Sequence, residues 1–288
     1  MKKIWVTGSK GQLGTELNIK HQKLQEYHFL FTDIEELDLT KKQAVAEFVK
    51  SEKPSVIINC AAYTAVDKAE SEPEKAFLLN RDIPANLTEA AANINATVIH
   101  MSTDYVFEGT KQQPYVETDK PYPISVYAES KYAGELEVQK TGRNLIIRTS
   151  WLYSAHGGNF VKTMLRLGKE KREISVVNNQ FGTPTSAADL AEAILIIIQK
   201  ILESGNNFGG IYHYSNEGMC SWFEFASEIM RLAELNCKVN PIKTDDYPLP
   251  AKRPLYSVMD KSKIKRDFGI SILDWKDSLG KAIENFSK

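Results

Sequence analysis

The chain has 288 residues, of which 42% are hydrophobic and 25% are charged, and it is therefore long enough for one large or two fused globular domains. Its 36 basic and 37 acidic side chains give a formal net charge of −1, which argues against a nucleic-acid partner or binding to an anionic membrane. The three cysteines, Cys60, Cys220 and Cys237, are odd in number and lack CxxC spacing, which predicts reduced thiols and a cytoplasmic protein.

Apolar runs alternate with helical patterns through the first half of the chain. The predicted strands are KIWVT (3–7), HFLFTD (28–33), SVIINCAA (55–62), TVIHMS (97–102) and NLIIRTS (144–150). Helical periodicity separates some of them, in TKKQAVAEFVKSEKP (40–54) and IPANLTEAAANIN (83–95). Repeated strand–helix–strand units imply parallel strands joined by right-handed crossovers. The pattern therefore predicts an α/β fold with a doubly wound parallel sheet of the Rossmann type.

A glycine-rich turn follows the first predicted strand and opens a helix. Gly8, Gly11 and Gly14 are spaced GxxGxxG, and a turn without side chains lets a pyrophosphate approach backbone N–H groups at a helix N-terminus. This placement predicts a dinucleotide site, whereas the spacing alone is a weak signal. Asp33, at the end of the second strand, is placed to bind ribose hydroxyls and favours NADH, but Lys10 in the turn leaves NADPH open.

The stretch ISVYAESKYAGE (124–135) predicts a helix with Tyr127 and Lys131 on one face, because residues four apart are neighbours on a helix. Taken alone, this spacing is typical of a solvent-exposed amphipathic helix. The alternative is a catalytic pair in which the ammonium stabilises a phenolate whose reference pKa is about 10. Thr103, at the end of the fourth strand, is a candidate third member of such a site.

The second half of the chain shows a looser alternation. Its predicted helices are NFVKTMLRLGKE (159–170), SAADLAEAILIIIQKIL (186–202), SWFEFASEIMRLAELN (221–236, with Ser221 as N-cap) and SILDWKDSLGKAIENF (271–286); its predicted strands are EISVV (173–177) and GIYHYSN (210–216). We expect residues 1–150 to form the dinucleotide-binding domain. Residues 151–288 are expected to form mainly a smaller α/β lobe for the second ligand, with some segments returning to the Rossmann core.

The glycine turn and the Tyr127-x-x-x-Lys131 pair together resemble the extended short-chain dehydrogenase/reductase superfamily. Over nearly the whole chain, the segments STDYVFEG, VYAESKYAGE, RTSWLY, NFVKTMLRL, QFGTPT and KRPLYSVMD occur in the order typical of the dTDP-4-dehydrorhamnose reductase family. The resemblance implies reduction of dTDP-4-dehydro-L-rhamnose to dTDP-L-rhamnose with NADPH or NADH, the last step in making this activated sugar for surface polysaccharide. It implies that Tyr127 is the general acid, with Lys131 as its partner and Thr103 beside the reacting oxygen.

The same resemblance, with the glycine turn, indicates two sets of contacts. Cofactor contacts are expected at Gly8, Gly11, Gln12, Leu13, Asp33, Asp38, Leu39, Ala62, Tyr63, Thr64, Tyr127 and Lys131. Contacts to the dTDP-sugar are expected at Thr103, Asp104, Trp151, Asn159, Thr183 and Arg253. Arg253 has its own physical reason, since a guanidinium binds a diphosphate through charge-assisted hydrogen bonds.

Three alternatives share parts of this pattern. Related 4,6-dehydratases carry an acidic pair after the threonine, whereas Thr103 is followed here by Asp104 and Tyr105, which weakens that reading. Epimerases of the superfamily keep the same Tyr and Lys. A non-catalytic regulatory subunit of the methionine adenosyltransferase type is also similar, and a fold does not fix a function.

Some members of the resembled family form magnesium-bridged dimers through acidic side chains. Glu16 matches one such position, but Ala188 stands where the second carboxylate is expected, so a structural Mg²⁺ has little support. No His/Cys cluster has metal-ligand spacing, and we expect no catalytic metal. A monomer and a homodimer both remain open.

Overall fold

The computed structural model describes residues 1–286 of the chain. Its strands are β1 Lys3–Thr7, β2 His28–Thr32, β3 Val56–Asn59, β4 Thr97–Thr103, β5 Leu145–Thr149, β6 Leu152–Tyr153, β7 Glu173–Val177, β8 Phe181–Gly182, β9 Thr185–Ser186, β10 Gly210–His213, β11 Cys220–Ser221 and β12 Lys238–Ile242. Its α-helices are α1 Gln12–Lys20, α2 Lys42–Glu52, α3 Val66–Ala69, α4 Pro73–Phe77, α5 Ile83–Ala92, α6 Val126–Val138, α7 Phe160–Glu170, α8 Ala187–Ser204, α9 Trp222–Leu232, α10 Ser262–Phe268 and α11 Trp275–Phe286. A π-helical turn, Leu78–Asp82, joins α4 to α5.

Six strands form the central sheet in the order β10-β5-β4-β3-β1-β2, and every pairing in it is parallel. The chain runs outward from β1 to β2 and then crosses back to β3 on the other side of β1. At this reversal, loops leave the carboxyl ends of β1 and β3 in opposite directions and open a crevice between them. The predicted doubly wound parallel sheet is confirmed.

Both faces of the sheet are covered by helices, which explains why its strands read as continuous apolar runs. Because successive side chains of a strand point to opposite faces, Ile4 and Val6 pack in one cluster with residues of α1 and α8. Trp5 lies between them in sequence and packs on the other face with residues of α2 and α5. The sheet is thus a rigid platform whose loops at the carboxyl ends carry the candidate site.

A second apolar cluster forms the core of a smaller lobe. It packs α7, α9 and α11 against the parallel pair β7 and β12, around Phe225 and Trp275. Ser221 is the N-cap of α9, as the sequence predicted, and the structure adds a reciprocal capping box with Glu224. α8 and β10, although late in the chain, belong to the central layer: α8 packs on α1, and β10 pairs with β5. The division at residue 150 stays a prediction.

Some elements differ from the sequence-based expectations. The C-terminal helix begins at Trp275 rather than at residue 271, and the strand expected over residues 210–216 ends at His213. The short helices α3 and α4 were not predicted, because four or five residues give too little periodicity to detect. Within residues 1–286, no helix has the length and apolar character needed to span a membrane.

Candidate active site

The glycine turn is packed so closely that side chains would not fit. Gly8 has a left-handed φ of +62°, and a Cβ there would lie 2.7 Å from the backbone nitrogen of Ala61, in the segment after β3. Gly11 donates its N–H to the carbonyl oxygen of Gly8 at 3.1 Å and is the N-cap of α1. A Cβ on Gly14 would lie 2.3 Å from the same oxygen. The turn therefore presents bare backbone at a helix N-terminus, which suits a pyrophosphate.

A groove of about 320 Å³ lies beside this turn, above the carboxyl ends of β1, β2 and β3. Six of the predicted cofactor residues line it: Gly8, Gly11, Asp33, Asp38, Leu39 and Ala62. Residues that sequence reasoning missed complete its wall, namely Thr32, Ile34, Leu37, Thr40, Cys60, Ala61, Leu79 and Ile83. Some of these residues directly follow predicted strands. Nothing else in the sequence indicates that they line a groove. The groove and the turn fit a dinucleotide.

The acidic residues of the groove are held by the backbone around them. Asp33 accepts hydrogen bonds from the N–H groups of Lys10 at 2.8 Å and Ile34 at 2.9 Å, so it ties the glycine turn to β2. Asp38 accepts from the hydroxyl of Thr40 at 2.6 Å, and this bond lowers the pKa of its carboxyl. The exposed ammonium of Lys10 lies 2.9 Å from Glu35. Asp33 lines the groove and Lys10 lies in the adjoining turn, so an acidic and a basic side chain are both present beside the glycine turn.

The other predicted cofactor residues lie around the turn rather than in this groove. Leu13 is buried in the core beneath it, and Thr64 is exposed. Tyr63 is buried and donates its hydroxyl to Glu72 at 2.9 Å. Gln12 accepts a hydrogen bond from the side-chain amide of Asn159 at 3.0 Å. Gln12 and Asn159, predicted for different ligands, therefore join the start of α1 to the start of α7.

Helix α6 carries the predicted proton donor and its partner into the interior. Lys131 is only 2% exposed and donates to the carbonyl oxygen of Met101 on β4 at 2.6 Å. Burial lowers the pKa of Lys131 to about 8, while Glu135 opposes the shift. A solvent-exposed amphipathic helix is thus the wrong interpretation of this stretch, because the lysine is inside the protein.

Tyr127 meets Thr103 across the gap between α6 and the end of β4. Enclosure of the Tyr127 hydroxyl raises its pKa to about 12, although the nearby Thr103 hydroxyl favours the phenolate. Lys131 bonds to the β4 backbone and is not among the groups that shift this pKa. Acidification of Tyr127 by Lys131 therefore stays a prediction for the complex with ligands.

A buried ion pair, which sequence reasoning missed, lies under this helix. Arg148 on β5 makes two hydrogen bonds to Glu135, at 2.9 and 2.7 Å, and both side chains are at most 1% exposed. Ser102 donates to the same carboxylate at 2.6 Å. Glu135 stands one turn beyond Lys131, so the pair fixes α6 against β4 and β5 at the level of the site.

Asp104 follows Thr103 and is also buried, with 2% of its surface exposed. Its carboxyl accepts the Thr103 hydroxyl at 3.1 Å, and the Ser257 hydroxyl of the C-terminal segment lies close to it. Burial is the largest effect and raises the pKa of Asp104 to about 7, although these two hydroxyls favour the charged form. Asp104 is thus a carboxyl group that changes charge near neutral pH.

The remaining predicted substrate contacts differ in accessibility. Trp151 has a φ of +46° and stacks on Trp222 with ring centroids 3.5 Å apart, leaving part of its surface exposed. Arg253 pairs with Asp67 at 2.7 Å and donates to the carbonyl oxygen of Ala251 at 2.9 Å, so its charge is already compensated.

Thr183 is fully buried, and its hydroxyl donates to the carbonyl oxygen of Gly218 at 2.9 Å. It therefore offers no accessible surface to a sugar. Asn159 is the N-cap of α7, where its side chain accepts from the Lys162 N–H. These bonds and its contact with Gln12 already engage both ends of its amide.

The structure also shows the surroundings of Glu16, the residue that matches one magnesium position of the resembled family. Glu16 is buried in α1 with its carboxylate 3.8 Å from the His156 ring, and burial raises its pKa. Among the described residues 1–286, no group of three or more His, Cys, Asp or Glu side chains is arranged to hold a metal ion.

Comparisons with known proteins agree with one another. The family model described as the RmlD substrate binding domain matches residues 1–288. The chain is 43% identical to the dTDP-4-dehydrorhamnose reductase of Sinorhizobium fredii, across 96% of this chain and 95% of that protein. The structure of a dTDP-4-dehydrorhamnose reductase from Clostridium acetobutylicum superposes with a TM-score of 0.93 at 41% identity, covering 99% of this chain and 100% of that one. The Bacillus anthracis enzyme, solved in complex with NADP, gives 0.93 at 39% identity with the same coverage.

Proposed function

The chain belongs to the RmlD substrate-binding-domain family, whose matched relatives are dTDP-4-dehydrorhamnose reductases, and we propose that it reduces dTDP-4-dehydro-L-rhamnose to dTDP-L-rhamnose with NADPH or NADH. The observation that carries this proposal is the meeting of Thr103 and Tyr127 above a buried Lys131, next to a groove suited to a dinucleotide. The reaction is the last step in making an activated sugar for surface polysaccharide.

The protein's own residues hold the cofactor and polarise the ketone. The glycine turn binds the pyrophosphate through backbone N–H groups, and Asp33 and Asp38 face the adenosine end of the groove. The bound reduced nicotinamide supplies the hydride. Lys131, buried on the same helix one turn after Tyr127, is the proposed ligand of the nicotinamide ribose.

Tyr127 supplies the proton that completes the reduction. Negative charge develops on the ketone oxygen, where hydrogen bonds from Tyr127 and Thr103 stabilise it more strongly than they bind the neutral ketone. Tyr127 then transfers its proton to this oxygen, while the single hydroxyl proton of Thr103 stays directed at the same oxygen and Lys131 is the proposed stabiliser of the phenolate that remains. Since burial raises the pKa of Tyr127 and a charged Asp104 raises it further, the transfer depends on positive charge brought near the phenol in the complex.

The sugar nucleotide is expected to bind between the end of β4 and the second lobe. Trp151 offers a rigid aromatic surface, because Trp222 stacks on one side of it and Gly182 packs against it. Arg253 is placed near Tyr105 and Tyr127 and is a candidate for the diphosphate once Asp67 releases it. Asn159 and Thr183 act indirectly in this proposal, since both side chains are already used in structural hydrogen bonds.

The proposal also covers the cellular location, the partner and the oligomeric state of the enzyme. The described structure contains Cys60, Cys220 and Cys237 as free thiols, which suits the reducing conditions of a cytoplasm. A dTDP-sugar is the expected partner, and the chain acts as a monomer or a homodimer.

The test is a direct assay of the purified chain with dTDP-4-dehydro-L-rhamnose and each reduced cofactor. We expect consumption of NADPH or NADH that depends on the keto sugar, with dTDP-L-rhamnose identified by chromatography and NMR. If the protein binds NADPH but does not consume it with this sugar, it is instead a non-catalytic regulatory subunit. Inversion at a carbon without net consumption of reduced cofactor would identify an epimerase.

A further inference from the structure

We propose that Asp104, when protonated, directs the single hydroxyl proton of Thr103 toward the reacting oxygen, and that ionised Asp104 draws this proton away. The inference deepens the proposed function and rests on it, because the reacting oxygen is the ketone oxygen of the sugar. Asp104 acts here through Thr103 and is therefore a positioning residue.

The hydrogen bonds of Thr103 determine which acceptor its hydroxyl proton can reach. A threonine hydroxyl has one proton and two acceptor lone pairs. One lone pair already accepts the backbone N–H of Tyr105 at 3.2 Å, and Asp104 Oδ1 lies 3.1 Å from the same oxygen. If Asp104 is charged it only accepts, so Thr103 must donate to it and can only accept from Tyr127. If Asp104 carries a proton, it donates to the second lone pair, and the Thr103 proton is free for an oxyanion.

The surroundings of Asp104 keep it from being a permanently charged group. It is 2% exposed, and its Oδ2 atom has no partner of good hydrogen-bond geometry among the described residues, although the Ser257 hydroxyl lies close to the carboxyl. The ionisable groups that face it are Tyr105 on its own turn and Tyr127 from α6. Arg253, from the C-terminal segment, reaches Tyr105 rather than the carboxylate.

The electrostatic effect on Tyr127 acts in the same direction. A negative charge on Asp104 raises the pKa of Tyr127, which makes the phenol a poorer acid. Neutral Asp104 removes that penalty and also frees the Thr103 proton. Because the pKa of Asp104 is raised to about 7, the two states exchange near neutral pH.

The experiment measures kcat/KM with NADPH and dTDP-4-dehydro-L-rhamnose across the neutral range. For the wild type we expect a decline above neutrality that approaches about tenfold per pH unit, as for one essential protonated group. Asp104→Asn should lose the decline centred near pH 7 and keep only one near pH 8, where Lys131 loses its charge, because the Asn amide N–H donates to Thr103 at every pH. Thr103→Ser should keep the decline, since it retains one hydroxyl proton.

The matched control is Asp245→Asn, which removes a carboxylate at an exposed position of the second lobe. Its profile should coincide with that of the wild type. A decline of equal midpoint and steepness in Asp104→Asn would overturn the inference, and so would a wild-type profile that is flat through neutral pH.

A second measurement begins with the wild-type protein, so its first result does not depend on the folding of any variant. In wild-type protein with ¹³C-labelled aspartate carboxyls, one resonance should titrate near neutral pH, and Thr103→Val should move its midpoint upward because a hydrogen bond to the charged form is lost. Absence of such a resonance would overturn this inference and leave the proposed function unaffected. Failure of the wild type to reduce the sugar would instead remove the proposed function, whatever the titration shows.

Discussion

Gly14→Ala tests whether close packing of the glycine turn, rather than its flexibility, holds the cofactor site in shape. The added methyl would lie 2.3 Å from the carbonyl oxygen of Gly8 and 2.6 Å from Cα of Ser9. Ordinary contact begins at 3.4 Å, so the turn must retreat from α1 by roughly 1 Å, and both obstacles are backbone atoms that cannot rotate away.

Two opposing effects set the size of the change. Ala stabilises a helix interior over Gly by up to about 1 kcal/mol, whereas overpacking costs about 1 to 3 kcal/mol and sometimes more. Since the overlap is with backbone, we expect a net loss of about 2 kcal/mol in the free energy of unfolding. The displaced N–H groups should also weaken NADPH binding by at least about tenfold, which is about 1.4 kcal/mol.

Gly280→Ala is the matched control, since a Cβ at this position in α11 meets no atom within 4 Å. It should raise the free energy of unfolding by about 0.5 to 1 kcal/mol and leave NADPH binding unchanged. Urea denaturation and fluorescence titration with NADPH measure both quantities. Equal stability and equal NADPH affinity of Gly14→Ala and wild type would refute the packing explanation.

Three further predictions concern stability and can be measured by denaturation. Glu135→Gln leaves the Arg148 guanidinium buried without its counter-charge and should lower the free energy of unfolding by about 3 to 5 kcal/mol. The control Glu137→Gln breaks an ion pair at the surface of the same helix and should lower it by less than about 1 kcal/mol. Asp104 has a pKa of about 7 in the folded protein against 3.8 ordinarily, so the native state keeps a proton that the unfolded chain loses. Unfolding free energy should therefore fall as pH rises from about 4 to about 7, and Asp104→Asn should flatten this fall. Ser221→Ala removes the capping box of α9 and should cost about 1 kcal/mol, without changing NADPH affinity.

Local features of the sequence predicted the fold and the centre of the site. The five strands of the first half appear at or within a few residues of their expected bounds, because long apolar runs are buried on both faces of a parallel sheet. Tyr127 and Lys131 lie on one side of α6 because a spacing of four residues determines it. The glycine turn was recognisable since it directly follows a strand and opens a helix.

Features that depend on distant packing could not be read from the sequence. Arg148 and Glu135 pair only because α6 docks on β5, and neither residue alone indicates a buried ion. The raised pKa of Asp104 depends on burial beneath the segment that contains Ser257. Arg253 looked like a free guanidinium, because nothing in its neighbourhood in the sequence indicates Asp67, which is 186 residues away.

The central claim is that the phenol of Tyr127 donates the proton that completes hydride transfer to a keto sugar. The most direct measurement is single-turnover oxidation of NADPH by dTDP-4-dehydro-L-rhamnose in the wild type and in Tyr127→Phe. Phe keeps the ring and its packing and removes the proton, so we expect NADPH binding to persist and the rate of the chemical step to fall by about 10² to 10⁴-fold. An unchanged rate in Tyr127→Phe would contradict the account.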